Sequence, residues 1–526
     1  MEDKGKKNYI YLLINAIATL HLGCKPLISS AMNLKLSFVF TVFFVCVSMA
    51  QNGNPNDYLS AQFHKERREA LRTKLPQNSV ALFFSNPIRN RANDVDFIFH
   101  QDPDFYYLTG YKEPNAVLVV FSNNQQTSDG KFYDELLYFQ EKNPRAEQWT
   151  GVRLGMEGAK KELGFENVFN GLAFLNPGIN YASFDIVFFK EFQEDTRNLK
   201  NEKADLYKLI GAFKSQIGYN EKVKSQMDSN VQKELNGKKS ITSKKATINT
   251  KSILTYMASL REKKTKEELV LLTKAIRISA MGQREIMKAM HPGMSETEIQ
   301  GIHEFVYKKY GSEFEGYPSI VGAGNNGCVL HYIENSKMKV ENELVLMDLG
   351  AEYHGYTADV TRSIPANGKF SAEQKLIYDL VYEAQEAAIA AAKIGNNFNA
   401  PDAVARKIIS VGLVKLGIVK NENESRKYFP HGTSHHIGLD VHDPGLYNSF
   451  VADMVVTVEP GIYIPIGSDC DKKWWGIAVR IEDDILITEN GPVNLSAEAP
   501  RKSDAIEQLM QEKSMLDGFT LPTLHN

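Results

Sequence analysis

Four carboxylates lie within or at the ends of short apolar segments in the C-terminal half of the chain. Asp348 ends the segment LVLMD, Asp359 is the centre of TADVT, Glu459 follows VVTV, and Glu482 ends AVRIE. Each segment has the apolar pattern of a buried strand. A charged group in apolar surroundings is costly unless it is paired, hydrogen-bonded or bound to a metal. One such carboxylate is typical of a salt bridge or a cap, whereas four together indicate a shared site.

Strand geometry predicts which side chains accompany these carboxylates. Side chains alternate between the two faces of a strand, so residues i and i+2 point the same way. Arg480 should therefore share a face with Glu482, and Asp359 should share one with Thr357 and Thr361. The pattern places a cation and hydroxyl groups beside two of the carboxylates.

Histidines are concentrated in the segment 431–443, which contains His431, His435, His436 and His442. The whole chain has only 12 histidines, so this is a strong local enrichment. A lone histidine in a protein core is common, whereas this density beside several glycines indicates a binding or catalytic site.

A glycine motif upstream of the first carboxylate has two interpretations. Gly322, Gly324 and Gly327 fit the pattern G-x-G-x-x-G, and Asp348 follows at about the spacing of a dinucleotide-binding fingerprint. That fingerprint requires a helix after the glycines, whereas residues 328–332 have the apolar pattern of a strand. The sequence therefore favours a turn that presents His331 over a dinucleotide site.

The composition is that of a multidomain globular protein. The 526 residues are enough for two or more domains, and 43% hydrophobic with 24% charged residues is ordinary for a soluble chain. A net charge of -3 gives no reason to expect a nucleic-acid partner. After residue 50 only Cys328 and Cys470 remain, too few for a disulfide framework. The sequence leaves open whether these two pair.

The first fifty residues have the pattern of a secretory signal peptide. A basic residue precedes the apolar run 36–47, and the small-x-small site SMA precedes Gln51. This run is shorter than a membrane-spanning helix, which needs about 20 apolar residues. The alternative to a cleaved signal peptide is an N-terminal membrane anchor that is retained. Because another apolar run, 9–22, comes first, Met32 is a candidate for the true start. We expect the protein to be exported, and to be periplasmic or secreted if it comes from a bacterium. If the leader is retained, the protein would be anchored in a membrane.

Helix and strand patterns alternate along the chain, which predicts an α/β (α+β) fold. The parts predicted are a leader over residues 1–50, an N-terminal domain over 51–251 that ends in a polar linker or insertion, a catalytic domain over 252–505 and a tail over 506–526. Strands are expected over 79–84, 116–121, 344–349, 355–363, 454–464 and 476–488, and helices after the N-caps Thr265, Ser295 and Ser371.

Six segments of the second domain resemble the pita-bread metallopeptidases, and among them aminopeptidase P. They are GNNGCVLHY, LVLMDLG, YTADVTRSIP, FPHGTSHHIGLDVHD, TVEPGIYI and AVRIEDD, in that order. Two earlier segments, FHKERREALRTKL and DPDFYYLTGYKEPNAVLVV, resemble the N-terminal domain of that family. The resemblance implies a pita-bread catalytic domain preceded by a smaller mixed α/β N-terminal domain.

The resemblance also implies two divalent metal ions held by five ligands. These are Asp348, Asp359, His435, Glu459 and Glu482, of which Asp359 and Glu482 would bridge the ions. Four acids and one imidazole suit Mn(II) and also permit Co(II) or Zn(II). Two ions would share negative charges that could not otherwise all stay ionised. A bridging hydroxide would be the nucleophile near neutral pH, and Glu459 would take up its proton.

Further residues are implied to contact the substrate. His331 and His442 would hold the peptide or stabilise the tetrahedral intermediate, and the neighbouring pocket would be lined by His431, Tyr463 and Arg480. Arg153, in GVRLG, matches a substrate-binding arginine of the family. Tyr106 stands where the family often has a tryptophan that reaches a neighbouring subunit's site. The resemblance separately implies a homo-oligomer, either a dimer or a tetramer.

Three functions remain open from the sequence. The first is an Xaa-Pro aminopeptidase, which removes the first residue of peptides with proline second. The second is a prolidase, which cleaves Xaa-Pro dipeptides with the same five ligands. The third is a non-catalytic pita-bread domain that binds peptides or proteins, and the presence of all five ligands argues against it. The residue sequences of the segments GCVLHY and HGTSHHIGLDVHD favour the Xaa-Pro aminopeptidase.

Overall fold

The computed structural model describes residues 56–200, 202–219 and 246–522. The predicted leader and most of the predicted polar linker lie outside these ranges. Contacts group Leu59–Asn526 as one unit. Within the described ranges, no helix combines the length and the apolarity needed to cross a membrane.

The N-terminal part is built on one six-stranded sheet and a short hairpin. Its strands are β1 (Ser79–Phe84), β2 (Asn90–Ala92), β3 (Val95–Asp96), β4 (Val117–Gln126), β5 (Phe132–Phe139), β6 (Val168–Asn170), β7 (Ile186–Phe189) and β8 (Thr247–Asn249). Its helices are α1 (Ala61–Lys74), α2 (Pro103–Thr109), α3 (Pro144–Thr150), α4 (Gly155–Leu163), α5 (Gly171–Phe174) and α6 (Leu206–Ile217). The sheet order is β6-β5-β4-β1-β7-β8, and β2 pairs with β3.

Strand β1 is apolar throughout because both of its faces are covered. Ala81 and Phe83 belong to the core that includes α1, whereas Val80 and Leu82 belong to the core that includes α6. A strand buried on both faces is expected to be continuously apolar rather than alternating. Strand β8 lies in the stretch predicted as a linker, so the end of that stretch forms the edge of the sheet.

The C-terminal part contains six α-helices and eleven strands among the described residues. The helices are α7 (Ser252–Arg261), α8 (Lys266–Ala289), α9 (Glu296–Lys309), α10 (Ala372–Ala391), α11 (Ala400–Lys415) and α12 (Ser503–Leu509). The strands are β9 (Phe314–Glu315), β10 (Ile320–Ala323), β11 (Leu344–Asp348), β12 (Ala351–Tyr353), β13 (Tyr356–Thr357), β14 (Thr361–Pro365), β15 (Val455–Val458), β16 (Gly461–Ile464), β17 (Ile477–Arg480), β18 (Asp483–Thr488) and β19 (Gly491–Asn494).

The predicted N-caps of α8, α9 and α10 are confirmed. Thr265 and Ser371 each form a full capping box, and the Ser295 hydroxyl accepts from the backbone of Glu298. The predicted tail begins inside α12. Ile506 and Leu509 of this helix are buried in the hydrophobic core of the C-terminal part. This helix is therefore part of the packed domain.

Three of the predicted strands are each broken at a carboxylate. The breaks occur at Asp359, between β13 and β14, at Glu459, between β15 and β16, and at Glu482, between β17 and β18. The strands on either side of each break belong to different sheets, of order β13-β12-β9, β10-β11-β14, β15-β18-β19 and β16-β17. The chain therefore passes from one sheet to another at each of these three residues.

The backbone amides at the breaks explain why pairing stops there. Asp359 N donates to the carboxylate of Asp484 at 3.0 Å, and Glu459 N donates to Thr433 O at 2.9 Å. Glu482 N donates to Thr361 O at 3.1 Å. These bonds connect separate parts of the domain, so they bring the three carboxylates to the junctions between its sheets.

The prediction of a strand over residues 328–332 is wrong. Gly324–Cys328 forms a 3-10 helix, and the residues after it belong to no strand. Gly324 has a φ of 58°, and a Cβ on Gly322 would lie 2.7 Å from Gly327 Cα. The glycines thus allow the chain to double back closely, which apolar patterning does not reveal. A dinucleotide fingerprint would need an α-helix here, and the 3-10 turn instead leads to His331.

Candidate active site

One cavity of about 330 Å³ collects nine of the eleven predicted site residues. These nine are His331, Asp348, Asp359, His431, His435, His442, Glu459, Arg480 and Glu482. They are spread along the chain from His331 to Glu482, and the fold brings them together.

Three of the predicted metal ligands lie within bonding reach of a common point. Asp359, His435 and Glu482 each offer a ligand atom, and these atoms lie within 4.8 Å of one another. His435 Nε2 is 3.4 Å from Asp359 Oδ2 and 3.6 Å from Glu459 Oε1. His435 Nδ1 lies 3.0 Å from the His436 carbonyl, to which an Nδ1–H can donate. That bond would leave the Nε2 lone pair facing the carboxylates, as in metal-binding histidines.

The carboxylates are too crowded to ionise together without added positive charge. Burial raises the pKa of Asp359 and of Glu482 well above the usual range, and neighbouring carboxylates raise both further. Burial also raises the pKa of Glu459. At Asp348 burial is outweighed by the Arg480 charge and the Tyr317 hydrogen bond, which lower its pKa. One arginine thus compensates one carboxylate, and the oxygen-rich remainder fits divalent cations.

Arg480 forms hydrogen bonds to several residues around the carboxylates of the cavity. Its guanidinium donates to Asp348 Oδ2 at 2.5 Å, to Tyr463 Oη at 3.0 Å and to Thr361 Oγ1 at 3.1 Å. Thr361 Oγ1 in turn donates to Glu482 Oε2 at 2.5 Å. The expected sharing of a face by Arg480 and Glu482 is confirmed, with 3.8 Å between Nε and Oε2.

The predicted substrate residues His431, Tyr463 and His442 lie beside the ligands or beside Arg480. His431 Nε2 is 2.7 Å from Tyr463 Oη, and His431 Nδ1 is 3.5 Å from Glu459 Oε2. The ring of His442 stands perpendicular to that of His435, with 4.6 Å between centroids. Burial and the nearby His435 and His331 lower the pKa of His442, which favours its neutral form. Tyr463 therefore joins the site through hydrogen bonds, although it does not line the cavity.

Arg153 is the predicted site residue that the structure keeps apart from the others. It is buried in the N-terminal part, where it donates to Glu202 Oε1 at 2.9 Å and to Glu141 O at 3.1 Å. Tyr106 is also buried within its own chain, beside His64 and Gly355. The role of Arg153 in substrate binding and the expected dimer or tetramer stay predictions.

The histidine-rich segment serves two purposes. His431, His435 and His442 line the cavity, whereas His436 is buried with its ring 4.9 Å from that of Phe398. Both cysteines of the described chain are free thiols, so Cys328 and Cys470 do not pair.

Tyr317 belongs to the site but was not predicted from the sequence. Its hydroxyl lies 2.5 Å from Asp348 Oδ1 and 2.7 Å from Asp359 Oδ1, so it bridges two of the carboxylates. Asp348 and Asp359 stood out because charge in an apolar strand is unusual, whereas a neutral tyrosine in Gly-Tyr-Pro has no such signal.

Replacing Tyr317 by phenylalanine should weaken metal binding. The ring is retained while both carboxylates lose the hydroxyl contact that orients them, and such losses typically cost about 10–100-fold in metal affinity or activity. Titration of the metal-free protein with Mn(II) measures the change. Tyr310→Phe is the matched control, because Tyr310 is exposed on α9's C-terminal end. Unchanged affinity in Tyr317→Phe would show that the hydroxyl does not orient the ligands.

Comparison with known proteins identifies the family of this chain. Residues 270–489 match the model of metallopeptidase family M24, and residues 64–174 match the model of the aminopeptidase P N-terminal domain. The chain is 34% identical to the Xaa-Pro aminopeptidase of Escherichia coli, over 86% of this chain and 98% of that protein. It is 30% identical to Xaa-Pro aminopeptidase 3 of Rattus norvegicus, over 87% and 85% of the two chains.

Solved structures show the same architecture. Aminopeptidase P from Escherichia coli, determined with the inhibitor Pro-Leu, superposes with a TM-score of 0.73 at 32% identity, covering 86% of this chain and 98% of that one. The Pseudomonas aeruginosa aminopeptidase PepP gives the same TM-score at 30% identity, with the same coverage. The pita-bread fold with its smaller N-terminal domain is thereby confirmed. The chain belongs to the aminopeptidase P family and is a metallo-aminopeptidase.

Proposed function

We propose that this enzyme is an Xaa-Pro aminopeptidase that works with two divalent metal ions and removes the first residue of peptides with proline second. The observation that carries the proposal is the convergence of Asp348, Asp359, His435, Glu459 and Glu482 on one cavity. The names of the relatives, Xaa-Pro aminopeptidases over nearly the full length, support the substrate class.

The five ligands Asp348, Asp359, His435, Glu459 and Glu482 would hold the metal ions. Mn(II) is the metal we propose, because the donor set is mostly carboxylate oxygen, and Co(II) or Zn(II) are the alternatives. When bound, such ions lower the pKa of water and polarise the scissile carbonyl. The raised pKa values of the crowded carboxylates support this assignment, since cations would replace the protons that otherwise relieve the repulsion.

Glu459 is placed to handle a proton. It directly follows β15 and lines the cavity, with Oε1 3.6 Å from His435 Nε2 and Oε2 3.5 Å from His431 Nδ1. Burial raises its pKa, which brings a carboxylate closer to the range in which it can both accept and release a proton. We assign it the transfer of a proton from the attacking water to the leaving nitrogen.

The histidines and Arg480 would orient the peptide. His331 and His442 line the cavity and can donate to carbonyl oxygens of the substrate. Donors aimed at an oxygen that gains charge are among the strongest catalytic contributions. His431 lines the cavity, and its ring, which meets that of Tyr463 edge to face at 5.4 Å, offers an aromatic surface to the ring of proline.

A comparison of two substrates tests the proposal. Purified protein with added Mn(II) is expected to release the first residue from Xaa-Pro-Yaa tripeptides, measured by chromatography of the products. Xaa-Ala-Yaa tripeptides are the matched control and should be cleaved far more slowly. Cleavage of Xaa-Pro dipeptides alone would establish the prolidase alternative. If metal-bound protein cleaved neither the Xaa-Pro-Yaa tripeptides nor the Xaa-Pro dipeptides, the aminopeptidase proposal and the prolidase alternative would both be refuted.

A further inference from the structure

Six charged side chains form a continuous network that joins the two parts of the chain. We call it the interdomain ion network, and its members are Asp102, Asp104, Lys190, Arg261, Lys264 and Asp443. The first three belong to the N-terminal part, Arg261 ends α7, Lys264 precedes α8, and Asp443 directly follows His442. None of the six touches the five metal ligands in any contact described above.

Arg261 is the member that connects the two parts. One of its guanidinium nitrogens lies 2.6 Å from Asp104 Oδ1, and another lies 2.5 Å from Asp443 Oδ1. Lys264 Nζ adds a contact of 2.8 Å to Asp443 Oδ2. These four side chains are at most 4% exposed. Two cations and two anions are therefore buried together, a neutral set in which removing one charge leaves another uncompensated.

The outer end of the network is set by Lys190. Its ammonium lies 2.9 Å from Asp104 Oδ2 and 3.1 Å from Asp102 Oδ2, and its side chain is 37% exposed. Asp104 thus has a cation on each carboxylate oxygen, Lys190 on one and Arg261 on the other. A change in the N-terminal part can reach Asp443 through two ion pairs.

The segment that carries His442 depends on this network for its position. Residues 438–447 contain no helix or strand, so ladder hydrogen bonds do not hold them. The turn between α7 and α8 holds them instead, because Arg261 and Lys264 contact Asp443 and Glu262 accepts from Leu446 N at 2.9 Å. Asp443 N also donates to His436 O at 3.0 Å.

From these contacts we infer that the N-terminal domain positions His442 for catalysis, with Asp104 and Arg261 as positioning residues that act through Asp443. The inference rests on the substrate role proposed for His442. His442 faces the cavity beside His435, so a small shift of the Asp443 backbone moves its imidazole relative to the substrate. The N-terminal domain thus contributes to the reaction without lining the cavity through these residues.

A double-mutant cycle between Asp104 and His442 tests this route. Asp104→Asn keeps the size of the side chain and removes its charge. It is expected to lower kcat on an Xaa-Pro-Yaa tripeptide by about tenfold, since a misplacement near 1 Å can cost about 100-fold. In a His442→Ala background the same change should leave kcat unaltered, because the group it positions is gone.

The matched control is Glu135→Gln, which removes one partly buried, paired charge from the N-terminal part. Glu135 accepts from Arg68 at 2.8 and 2.9 Å within that part, so this variant should lower the melting temperature without changing kcat. An equal kcat loss in Glu135→Gln, or an Asp104→Asn effect that persists without His442, would overturn the inference. If Asp104→Asn does not fold, Lys190→Met replaces it, with a smaller loss and the same dependence on His442.

The cycle also separates this inference from the role proposed for His442. A near-normal kcat in His442→Ala alone would refute that role and, with it, this route. A strong effect of His442→Ala combined with no effect of Asp104→Asn would refute the network alone. Tripeptide cleavage by the unmodified protein is independent of both outcomes.

Discussion

Glu459→Ala is expected to abolish turnover, and Glu459→Gln to lower kcat by about 10²–10⁴-fold, the usual contribution of a positioned acid or base. Glutamine keeps the size of the side chain and one oxygen, but it cannot take up a proton. The measurement is steady-state hydrolysis of an Xaa-Pro-Yaa tripeptide with saturating Mn(II), together with the metal content of each variant. Metal content is needed because Glu459 is also a proposed ligand.

The two roles of Glu459 are separated by comparing the variants. If Glu459→Gln binds two ions and is still inactive, proton handling accounts for the loss. If it has lost an ion, the ligand role accounts for part of it. Glu498→Gln is the control, since Glu498 pairs with Arg277 at the surface at 2.7 Å. A near-normal kcat in the metal-loaded Glu459→Gln variant would remove Glu459 from the mechanism.

Removal of the metal ions should abolish activity and lower stability, more strongly at higher pH. The folded-state pKa values of Asp359, Glu482 and Glu459 are raised by burial and neighbouring carboxylates. Their contribution to the stability of metal-free protein is therefore full below the unfolded pKa of about 4. It is lost as the pH rises through the raised folded values. Asp348, with a lowered pKa, has the opposite sign and offsets only part of this loss.

Bound cations remove the cost of ionising these carboxylates, so the difference in melting temperature between loaded and chelated protein should grow from pH 5 to pH 8. A ligand present at 100 times its Kd stabilises the folded state by about 2.7 kcal/mol. Thermal unfolding with EDTA or with Mn(II) across this range measures the difference. In the Asp359→Asn variant the pH dependence should be flatter, because one of the crowded charges is gone. A difference that is constant with pH would contradict the assignment of these carboxylates as ligands.

The sequence predicted the chemistry of the site better than its backbone. Charged residues in apolar strands identified Asp348, Asp359, Glu459 and Glu482 because burying a charge is costly enough to need a reason. Arg480 followed from the alternation of side chains along a strand. The family resemblance, and not spacing, supplied the assignment of His435 and His442, since histidine density alone also included the buried His436.

Features that depend on distant parts of the chain escaped prediction. The breaks at Asp359, Glu459 and Glu482 arise from hydrogen bonds to other segments, and a continuous apolar pattern contains no information about those partners. The segment after Gly324 has the apolar pattern of a strand, yet Val329 is exposed and the segment pairs with no strand. Tyr317 and the interdomain ion network are likewise visible only once the fold brings residues 31 to 182 positions apart into contact.

The breaks at the three carboxylates have a consequence for how the protein matures. Asp348 ends a strand of one sheet, and the three breaks each join strands of two sheets. No single sheet, formed alone, contains the complete set of ligands. A folding intermediate with separate sheets therefore lacks the metal site, and the ions can be captured only after the sheets have docked. We therefore expect metal uptake to follow the docking of the sheets, so that a bound ion would report correct assembly of the catalytic domain.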